Sequence, residues 1–437
     1  MLNGTKSVSR RFLKKKYTLA FALLASCSFC QNSWAGIGVE GSLGYIKNPQ
    51  NDSHSDPGSD AEEMLTTLTV NGDFHRETQR FITSLDYNAG IYKYKNALLE
   101  DREILVGNGL LRWILRPDSI IWDLSNSRTD VLRTSTRPDV SDNKEVVSIT
   151  STGPKMAFQF GPNDFSMDAD YSVAVYSRSE YNDQNRASVN LSLGRLVTQG
   201  LRASMNASAL DVAFDSDLQV DYEIFSVSGK LVYNSSNYSL SLEKGEYETH
   251  RGSLPVVSSP LLNFNGNYSF NPSSSVNFSY SESVEDPVSN ISNSLDDEDG
   301  TGVPPEGTVN ANIFEQIQKA VSYVYTEEER YSLMLTYSHN KKNYQVGRHE
   351  ISEMYRVNFS VPLTPALNMS IFASYAESLF SLNQRSHERV NTGLNMDYLL
   401  NSSFGLNFSV SYVEQTGNLR FDNYDGLNAV IGFRYSR

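Results

Sequence analysis

The fold class can be read from residues 165–175, FSMDADYSVAV, where apolar and polar side chains alternate. The apolar positions are Phe165, Met167, Ala169, Tyr171, Val173 and Val175, and the polar ones are Ser166, Asp168, Asp170 and Ser172. Only a β-strand places two such sets on opposite faces, because its successive side chains point to opposite sides. These residues therefore predict a strand with one apolar face and one polar face.

The same alternation recurs from Gly36 to the C-terminus and predicts about 20 strands, within a range of 18–22. They start near Ile37, Met64, Phe81, Arg102, Ser119, Lys144, Phe165, Arg186, Leu201, Val220, Asn237, Leu261, Ser275, Asn312, Tyr331, Glu350, Leu367, Glu388, Phe404 and Leu427. Within the strand that starts at Lys144, the apolar parity changes at Gly153-Pro154, which we interpret as a β-bulge. The segment 312–325 has a helical alternative, because its apolar residues also fit helical spacing.

The links between these strands alternate between two lengths. Short links rich in turn-forming residues lie at 116–119, 161–164, 234–237, 271–274, 362–365 and 399–402. Longer polar links lie between them, at 47–63, 95–101, 134–143, 249–260, 285–309, 381–387 and 416–426. Short periplasmic turns and longer extracellular loops are typical of bacterial outer-membrane barrels.

Strand length distinguishes a membrane barrel from a soluble β-sandwich, in which side chains also alternate. The predicted strands run for about 10 to 15 residues, whereas strands of globular proteins cluster near 5 or 6. A tilted strand needs about 9 to 11 residues to cross a bilayer. Closure of the sheet also pairs the backbone groups that hydrocarbon would leave unsatisfied. We therefore expect an all-β protein that forms a closed, antiparallel, up-and-down transmembrane β-barrel.

Residues 1–35 have the pattern of a secretory signal. A basic head that includes Arg10 and Lys16 precedes the apolar stretch 17–29, and Ser33-Trp34-Ala35 is a small-residue cleavage site. Lipoprotein processing is the alternative, because Leu24-Ala25-Ser26-Cys27 fits a lipid-attachment box. The predicted domains are a signal peptide, 1–35, and a barrel, 36–437, exported through the inner membrane to the outer membrane of a Gram-negative bacterium.

Charge and cysteine content exclude several classes of function for the mature chain. Removal of the six basic residues of the signal from a total of 37 leaves 31 basic against 51 acidic residues, a net charge of -20. A nucleic-acid partner is not expected, because affinity for phosphate needs clustered Lys and Arg. Cys27 and Cys30 both precede the preferred cut, which excludes disulfide scaffolds and Cys-ligated metal sites.

Three segments carry a resemblance to a known family: GLLRWILRPDSIIWDLSNSRTD at 109–130, STGPKMAFQFGP at 151–162, and the Tyr- and Asn-rich hairpins of 350–435. On these segments the chain resembles bacterial outer-membrane β-barrel proteins found with exopolysaccharide and PEP-CTERM (exosortase) systems. The resemblance implies a barrel of unsettled biochemical activity that supports polysaccharide secretion. Barrels of this kind usually end on an aromatic residue, which the assembly machinery recognises, whereas here Tyr435 is followed by Ser436 and Arg437.

No catalytic, cofactor-binding or metal-binding motif is predicted. The glycine pattern at 36–41 lacks the βαβ context of a dinucleotide fold. The six histidines are scattered, and no G-x-S-x-G elbow occurs. The link 285–309 is acidic, and Asp297-Glu298-Asp299-Gly300 is a candidate for calcium binding, although the order of an EF-hand is incomplete. We interpret this link as a solvated extracellular loop.

The polar face of the strands is the candidate functional surface. We expect its amide and guanidinium groups to contact sugars, at Asn190, Asn263, Asn265, Asn267, Arg356, Asn358, Asn368, Arg389, Asn391, Asn395 and Asn407. Amides and hydroxyls can exchange hydrogen bonds with sugar hydroxyls without desolvating a charge. The expected function is a pore or structural component for exopolysaccharide export or surface assembly, not an enzyme. The alternatives are a general diffusion porin and a lipid- or glycan-modifying barrel enzyme. Outer-membrane lipid, the barrel-assembly machinery, polysaccharide and export-system proteins are the expected partners.

Overall fold

The structure is a computed structural model, and it describes residues 33–47, 62–133, 143–286, 288, 313–327, 330–344, 349–381, 384–418 and 423–436. Nearly all of these residues lie in strands, and a single turn of 3-10 helix covers Glu180–Asn182. Among the described residues, no helix is long and apolar enough to cross a membrane.

Twenty strands make up the described chain. They are β1 (Ser33–Lys47), β2 (Glu62–Glu77), β3 (Phe81–Tyr94), β4 (Arg102–Arg116), β5 (Ile120–Leu132), β6 (Lys144–Phe160), β7 (Asn163–Tyr176), β8 (Gln184–Thr198), β9 (Leu201–Phe214), β10 (Tyr222–Asn234), β11 (Tyr238–Arg251), β12 (Val257–Asn271), β13 (Ser274–Glu285), β14 (Phe314–Glu327), β15 (Tyr331–Tyr344), β16 (His349–Thr364), β17 (Leu367–Phe380), β18 (Arg385–Leu399), β19 (Phe404–Gly417) and β20 (Tyr424–Ser436). The predicted fold and strand count are confirmed.

Each strand pairs antiparallel with its neighbours in the chain, and the first pairs with the last. Between β1 and β20, Gly38 lies opposite Ser436 and Lys47 opposite Leu427, so the sheet closes on itself. Closure leaves no unpaired edge in the hydrocarbon, where an unsatisfied backbone group costs several kcal/mol. The segment at 312–325 forms strand β14 and not a helix, because its backbone pairs with both β13 and β15.

The prediction of a β-bulge at Gly153-Pro154 is wrong. Strand β6 keeps one register with β5 across these residues, and its register with β7 is the same on either side of them. The backbone of β7 approaches closely here, since an added Cβ on Gly153 would lie 1.7 Å from the carbonyl oxygen of Ala169. The apolar parity changes for another reason: Val147 and Ile149 point into the barrel, where they are buried.

The two faces of the sheet differ along most of its circumference. The outer face carries exposed apolar side chains, such as Met205 at 66 % and Val227 at 60 % exposure, which suits contact with lipid. Aromatic rings lie on this face near the short turns, where Phe81 and Trp113 stack at 6.0 Å. The inner face is mainly polar, which suits a water-filled lumen.

The same side-chain hydrogen bond closes three of the longer links. The carboxylates of Asp101, Asp183 and Asp221 each accept from the backbone N–H seven residues earlier, at Tyr94 (2.9 Å), Tyr176 (2.8 Å) and Phe214 (2.9 Å). An aromatic residue therefore ends the strand, and an aspartate ends the link. This repeated pairing fixes the hairpin ends on the long-loop side of the barrel.

Candidate functional site

All eleven residues predicted for sugar contact lie on the lumen face. On each strand, these residues alternate with the exposed apolar side chains of the outer face. Asn190, for example, lies between Val189 and Leu191, which are 37 % and 39 % exposed on the outer face. Arg356 likewise lies between the exposed residues Tyr355 and Val357. Their contact with sugar stays a prediction.

The structure does not bring these residues together in one site. Four of them lie on β8 and β12, at Asn190, Asn263, Asn265 and Asn267. The other seven lie on β16–β19, which we call the polar sector: Arg356, Asn358, Asn368, Arg389, Asn391, Asn395 and Asn407. The predicted residues therefore form two stretches of wall and not a ring around the lumen.

A hydrogen-bonded polar network on β8–β11 was not predicted. The carboxylate of Glu243 accepts from the Ser228 hydroxyl at 2.5 Å and from the Asn206 amide at 3.3 Å, and it lies 3.7 Å from the Lys230 ammonium. The amide oxygen of Asn206 accepts from the Ser192 hydroxyl at 2.8 Å. These contacts join four adjacent strands and fix the orientation of their polar groups.

This network lines a cavity in the lumen wall with a volume of about 830 Å³. Asn190 and Asn263, two of the predicted residues, lie in its lining beside six serines. A second cavity of about 340 Å³ shares Asn190, Ser208 and Tyr247 with the first and extends toward the long-loop end. The lining of the first offers mainly amide and hydroxyl groups, whereas the second is lined by hydroxyl, charged and apolar side chains.

Charged residues of the lumen neutralise one another along the neighbouring wall. Arg112 donates two hydrogen bonds to the Asp123 carboxylate, at 2.8 and 3.0 Å. The Lys155 ammonium lies 3.4 Å from Asp123 and 3.5 Å from Asp168, which places two cations and two anions in one row. The row has no net formal charge, so it exerts little long-range attraction on ions of either sign.

At the long-loop end the lumen face of β5–β10 carries buried apolar side chains on every strand except β8, and we call this region the apolar sector. Its lumen-facing apolar residues are Val131, Val147, Ile149, Ala174, Tyr176, Leu210, Val212, Phe214, Tyr222 and Ile224. Val288 packs against the β5–β7 part of this set, and Val284 and Ile313 pack against the β9–β10 part. The chain that leaves β13 and the chain that enters β14 therefore both contact this wall.

The interpretation of 285–309 as a solvated loop is wrong at its first residues. The side chain of Asp286 is 2 % exposed and accepts two hydrogen bonds from the Arg186 guanidinium, at 2.9 and 2.5 Å. The Tyr222 hydroxyl also donates to Asp286. The calcium candidate at Asp297-Glu298-Asp299-Gly300 lies outside the described residues.

Within the described ranges, the titratable side chains form no metal site. No three His, Cys, Asp or Glu side chains in those ranges lie close enough to hold a metal ion. One His–carboxylate contact there joins His339 Nδ1 to Glu353 Oε1 at 3.2 Å. These two residues share the outer face with Tyr337 and Tyr355, away from the lumen.

Comparisons with known proteins agree with this architecture. No family model and no curated protein matches the sequence. The FrpB iron transporter from Neisseria meningitidis (F5-1 variant) aligns with a TM-score of 0.51 at 9 % identity, over 94 % of this chain and 83 % of that chain. Its F3-3 variant aligns with a TM-score of 0.50 at 10 % identity, over 94 % and 82 %. The siderophore receptor PirA from Pseudomonas aeruginosa aligns with a TM-score of 0.47 at 12 % identity, over 92 % and 80 %.

This chain folds as an outer-membrane barrel. At these identities the likeness shows the fold alone, so the function must be argued from the lumen itself.

The sequence contained a signal for the apolar sector. On β6 the apolar side chains occupy the lumen-facing parity at Val147 and Ile149 and the lipid-facing parity from Met156 onward. A strand that is apolar on its lumen face is covered by something other than water, because exposed apolar area is unfavourable at roughly 25 cal/mol per Å². The change of parity therefore indicated a covered wall and not a bulge.

Proposed function

We propose that this protein is an outer-membrane pore that passes neutral, hydroxyl-rich solutes and supports the export or surface assembly of an exopolysaccharide. The supporting observation is a lumen wall rich in amides and hydroxyls in which two groups of charged side chains are neutralised by partners. The Glu243 network and the row from Arg112 to Asp168 both have this character. Such a wall can hydrogen-bond sugars without the cost of desolvating an unpaired charge.

An outer-membrane location is part of this proposal. The closed 20-stranded barrel and its apolar outer face support it. Export by the signal at 1–35, insertion by the barrel-assembly machinery and contact with outer-membrane lipid and export-system proteins complete the proposal. The link to exopolysaccharide and PEP-CTERM systems comes from the sequence resemblance.

A general diffusion porin is the second candidate. It is favoured by the distribution of the polar residues, since the predicted residues lie on two separate walls and form no single ring. A pore of this kind conducts small ions and admits solutes by size, without preference for neutral sugars.

Liposome swelling tests the first candidate against the second. The purified full-length protein is reconstituted, and the entry of glucose is compared with the entry of gluconate and glucosamine, which are similar in size but charged. We expect the neutral sugar to enter fastest. Equal rates would favour the general porin, and no swelling or ion conductance with any solute would contradict both candidates.

A matched variant relates this selectivity to the wall. The double substitution Asn391→Asp and Asn395→Asp adds two negative charges to the lumen face of β18 without changing side-chain size. We expect it to slow gluconate more than glucose, because like charges in the lumen repel the anion. Unaltered surface polysaccharide in a deletion strain would contradict the role in polysaccharide export while leaving the pore activity intact.

A further inference from the structure

The chain that follows β13 is held inside the barrel by a buried ion pair. Asp286 lies directly after the last residue of β13, and Arg186 lies near the long-loop end of β8. The two side chains are 2 % and 7 % exposed, and two parallel hydrogen bonds join them. Tyr222 on β10 donates a further hydrogen bond to the same carboxylate. Arg186 also contacts the side-chain oxygen of Gln184 at 3.3 Å, so polar groups surround the pair.

Apolar packing on either side of this ion pair reinforces its position. Val288 is 2 % exposed and belongs to the cluster of Val147, Ala174 and Tyr176. Ile313, at the other end of the link, is also 2 % exposed and packs with Val212. The two ends of the link therefore contact different parts of the apolar sector.

A water-filled lumen does not by itself account for these contacts. Val147, Ala174 and Val212 are each 0 % exposed although they sit on the lumen face. Side chains there reach such burial only if protein covers them, and the described residues Val284, Asp286 and Val288 are in contact with this wall. The same three residues line the 340 Å³ cavity together with Asp170, Ser172 and Ser188 on the barrel wall.

We propose that the described residues that end and follow β13, Val284, Asp286 and Val288, form a segment that is docked on β5–β10 by the Arg186–Asp286 ion pair and sets the size limit of the pore at its extracellular mouth. This inference rests on the proposed pore function. Docked there, the segment occupies lumen cross-section that the barrel wall alone would leave open. The ion pair holds the segment in position. Removal of one partner destabilises the docked state, because the other partner stays charged and buried, whereas exchange of both for apolar residues is tolerated in buried pairs.

Cross-linking tests the docking itself. In a Cys27→Ser, Cys30→Ser background, Ala174→Cys is combined with Val288→Cys, and disulfide formation is followed by gel mobility of the folded, reconstituted barrel. The control combines Ala174→Cys with Ser411→Cys, on the lumen face of β19. We expect rapid cross-linking in the first pair and none in the control. Absence of cross-linking in the first pair would overturn the docked position.

Single-channel conductance tests the size limit. Asp286→Asn removes the charge of the carboxylate that accepts two hydrogen bonds from Arg186, which shifts the docked state by at least about a hundredfold toward release. We expect higher conductance, entry of larger sugars and loss of the cross-link. The triple variant Arg186→Met, Asp286→Leu, Tyr222→Phe should restore the wild-type values, because Tyr222→Phe also removes the buried hydroxyl that donates to Asp286. Asp130→Asn is the matched control, because it breaks the comparable Arg102–Asp130 pair, joined at 2.6 Å, which lies outside the docked segment.

The two readouts separate the failure of this inference from the failure of the pore. Loss of the cross-link in Asp286→Asn with unchanged conductance would overturn the size-limiting role. No conductance from any variant, with the cross-link intact, would overturn the pore function and leave the docked geometry supported. Gel-shift on heating identifies folded barrels in each preparation, and the triple variant keeps the test decisive if the single variant does not fold.

Discussion

The apolar sector and the polar sector use the same sheet in different ways. On β5–β10 the lumen face ends in buried apolar side chains at the long-loop end, and residues that follow β13 pack on it. On β16–β19 the lumen face stays mainly polar, with Asn391 and Asn395 on either side of the lumen-facing Gly393 on β18. Both sectors present an apolar outer face to lipid. The difference shows that the polarity of the outer face follows from its contact with lipid. The polarity of the lumen face depends on whether water or protein lies against it.

The largest effect is expected from a polar group placed in the apolar sector. Val147→Asn should destabilise the barrel by about 3 to 5 kcal/mol, because it removes a buried apolar side chain and buries an amide without partners. The measurement is the urea midpoint of unfolding in detergent. The matched change in the lumen face of β19, Ser411→Asn, should shift stability by less than about 0.5 kcal/mol. Equal effects at the two positions would remove the distinction between the sectors.

A smaller effect is expected from the carboxylate of Glu145 at the start of β6. Its side chain is buried and accepts the backbone N–H of Arg178 at 3.0 Å, and the N–H and hydroxyl of Ser179 at 2.9 and 2.8 Å. Glu145→Gln replaces one acceptor oxygen with a donor and should cost about 1.5 to 3 kcal/mol. Proteolysis within 177–183 provides a local readout of the same loss.

The exposed Glu414 on β19 is the matched control for Glu145. Its carboxylate accepts a long hydrogen bond of 3.3 Å from the Tyr412 hydroxyl, and the residue is exposed. Glu414→Gln should change stability by less than about 0.5 kcal/mol. A Glu145→Gln variant as stable and as protease-resistant as Glu414→Gln would contradict the assigned role of Glu145.

The smallest effect is a pH dependence of the link between β7 and β8. Burial, with help from the nearby carboxylates of Asp215 and Glu180, raises the pKa of Asp183 to about 6, although its hydrogen bond from the Tyr176 N–H opposes the shift. Because the folded pKa lies above the unfolded value, the folded link binds more protons between these two values. Its stability should therefore fall as the pH rises from about 4 to about 6.

Hydrogen exchange of the Tyr176 amide measures this effect. Protection should be greater at pH 4 than at pH 7 after correction for the intrinsic exchange rate. Asp183→Asn keeps an acceptor for the amide and carries no charge, so its protection should not vary with pH in this range. A pH dependence that persists in Asp183→Asn would assign the titration to another group.

Local patterns were sufficient to predict the strands. All twenty starts lie within four residues of the predicted ones, because alternation is a property of neighbours in the chain and a bilayer enforces it along each strand. Strand β14 illustrates the limit of this reasoning. Its apolar spacing fits both helix and strand, and the backbone pairing with β13 and β15 decides between them.

The lumen was harder to predict, because its contacts join residues far apart in sequence. The positions of the eleven candidate residues on the lumen face followed from alternation. The network around Glu243 did not, since Asn206 and Glu243 are 37 residues apart and meet only through the register of three strands. The change of apolar parity on β6 was visible in the sequence. It was interpreted as a bulge because nothing in the sequence indicated that a segment covers the lumen face there.

The amino-acid sequence alone determined long, repeated strands with one apolar and one polar face. It thereby determined a closed barrel of about 20 strands, because apolar faces of that length require contact with lipid. The tertiary structure alone decided which part of the lumen is covered. Arg186 and Asp286 are 100 residues apart, and neither has a local pattern that predicts the other. Their pairing depends on where strand register and closure place β8 relative to the end of β13, which is a property of the whole barrel.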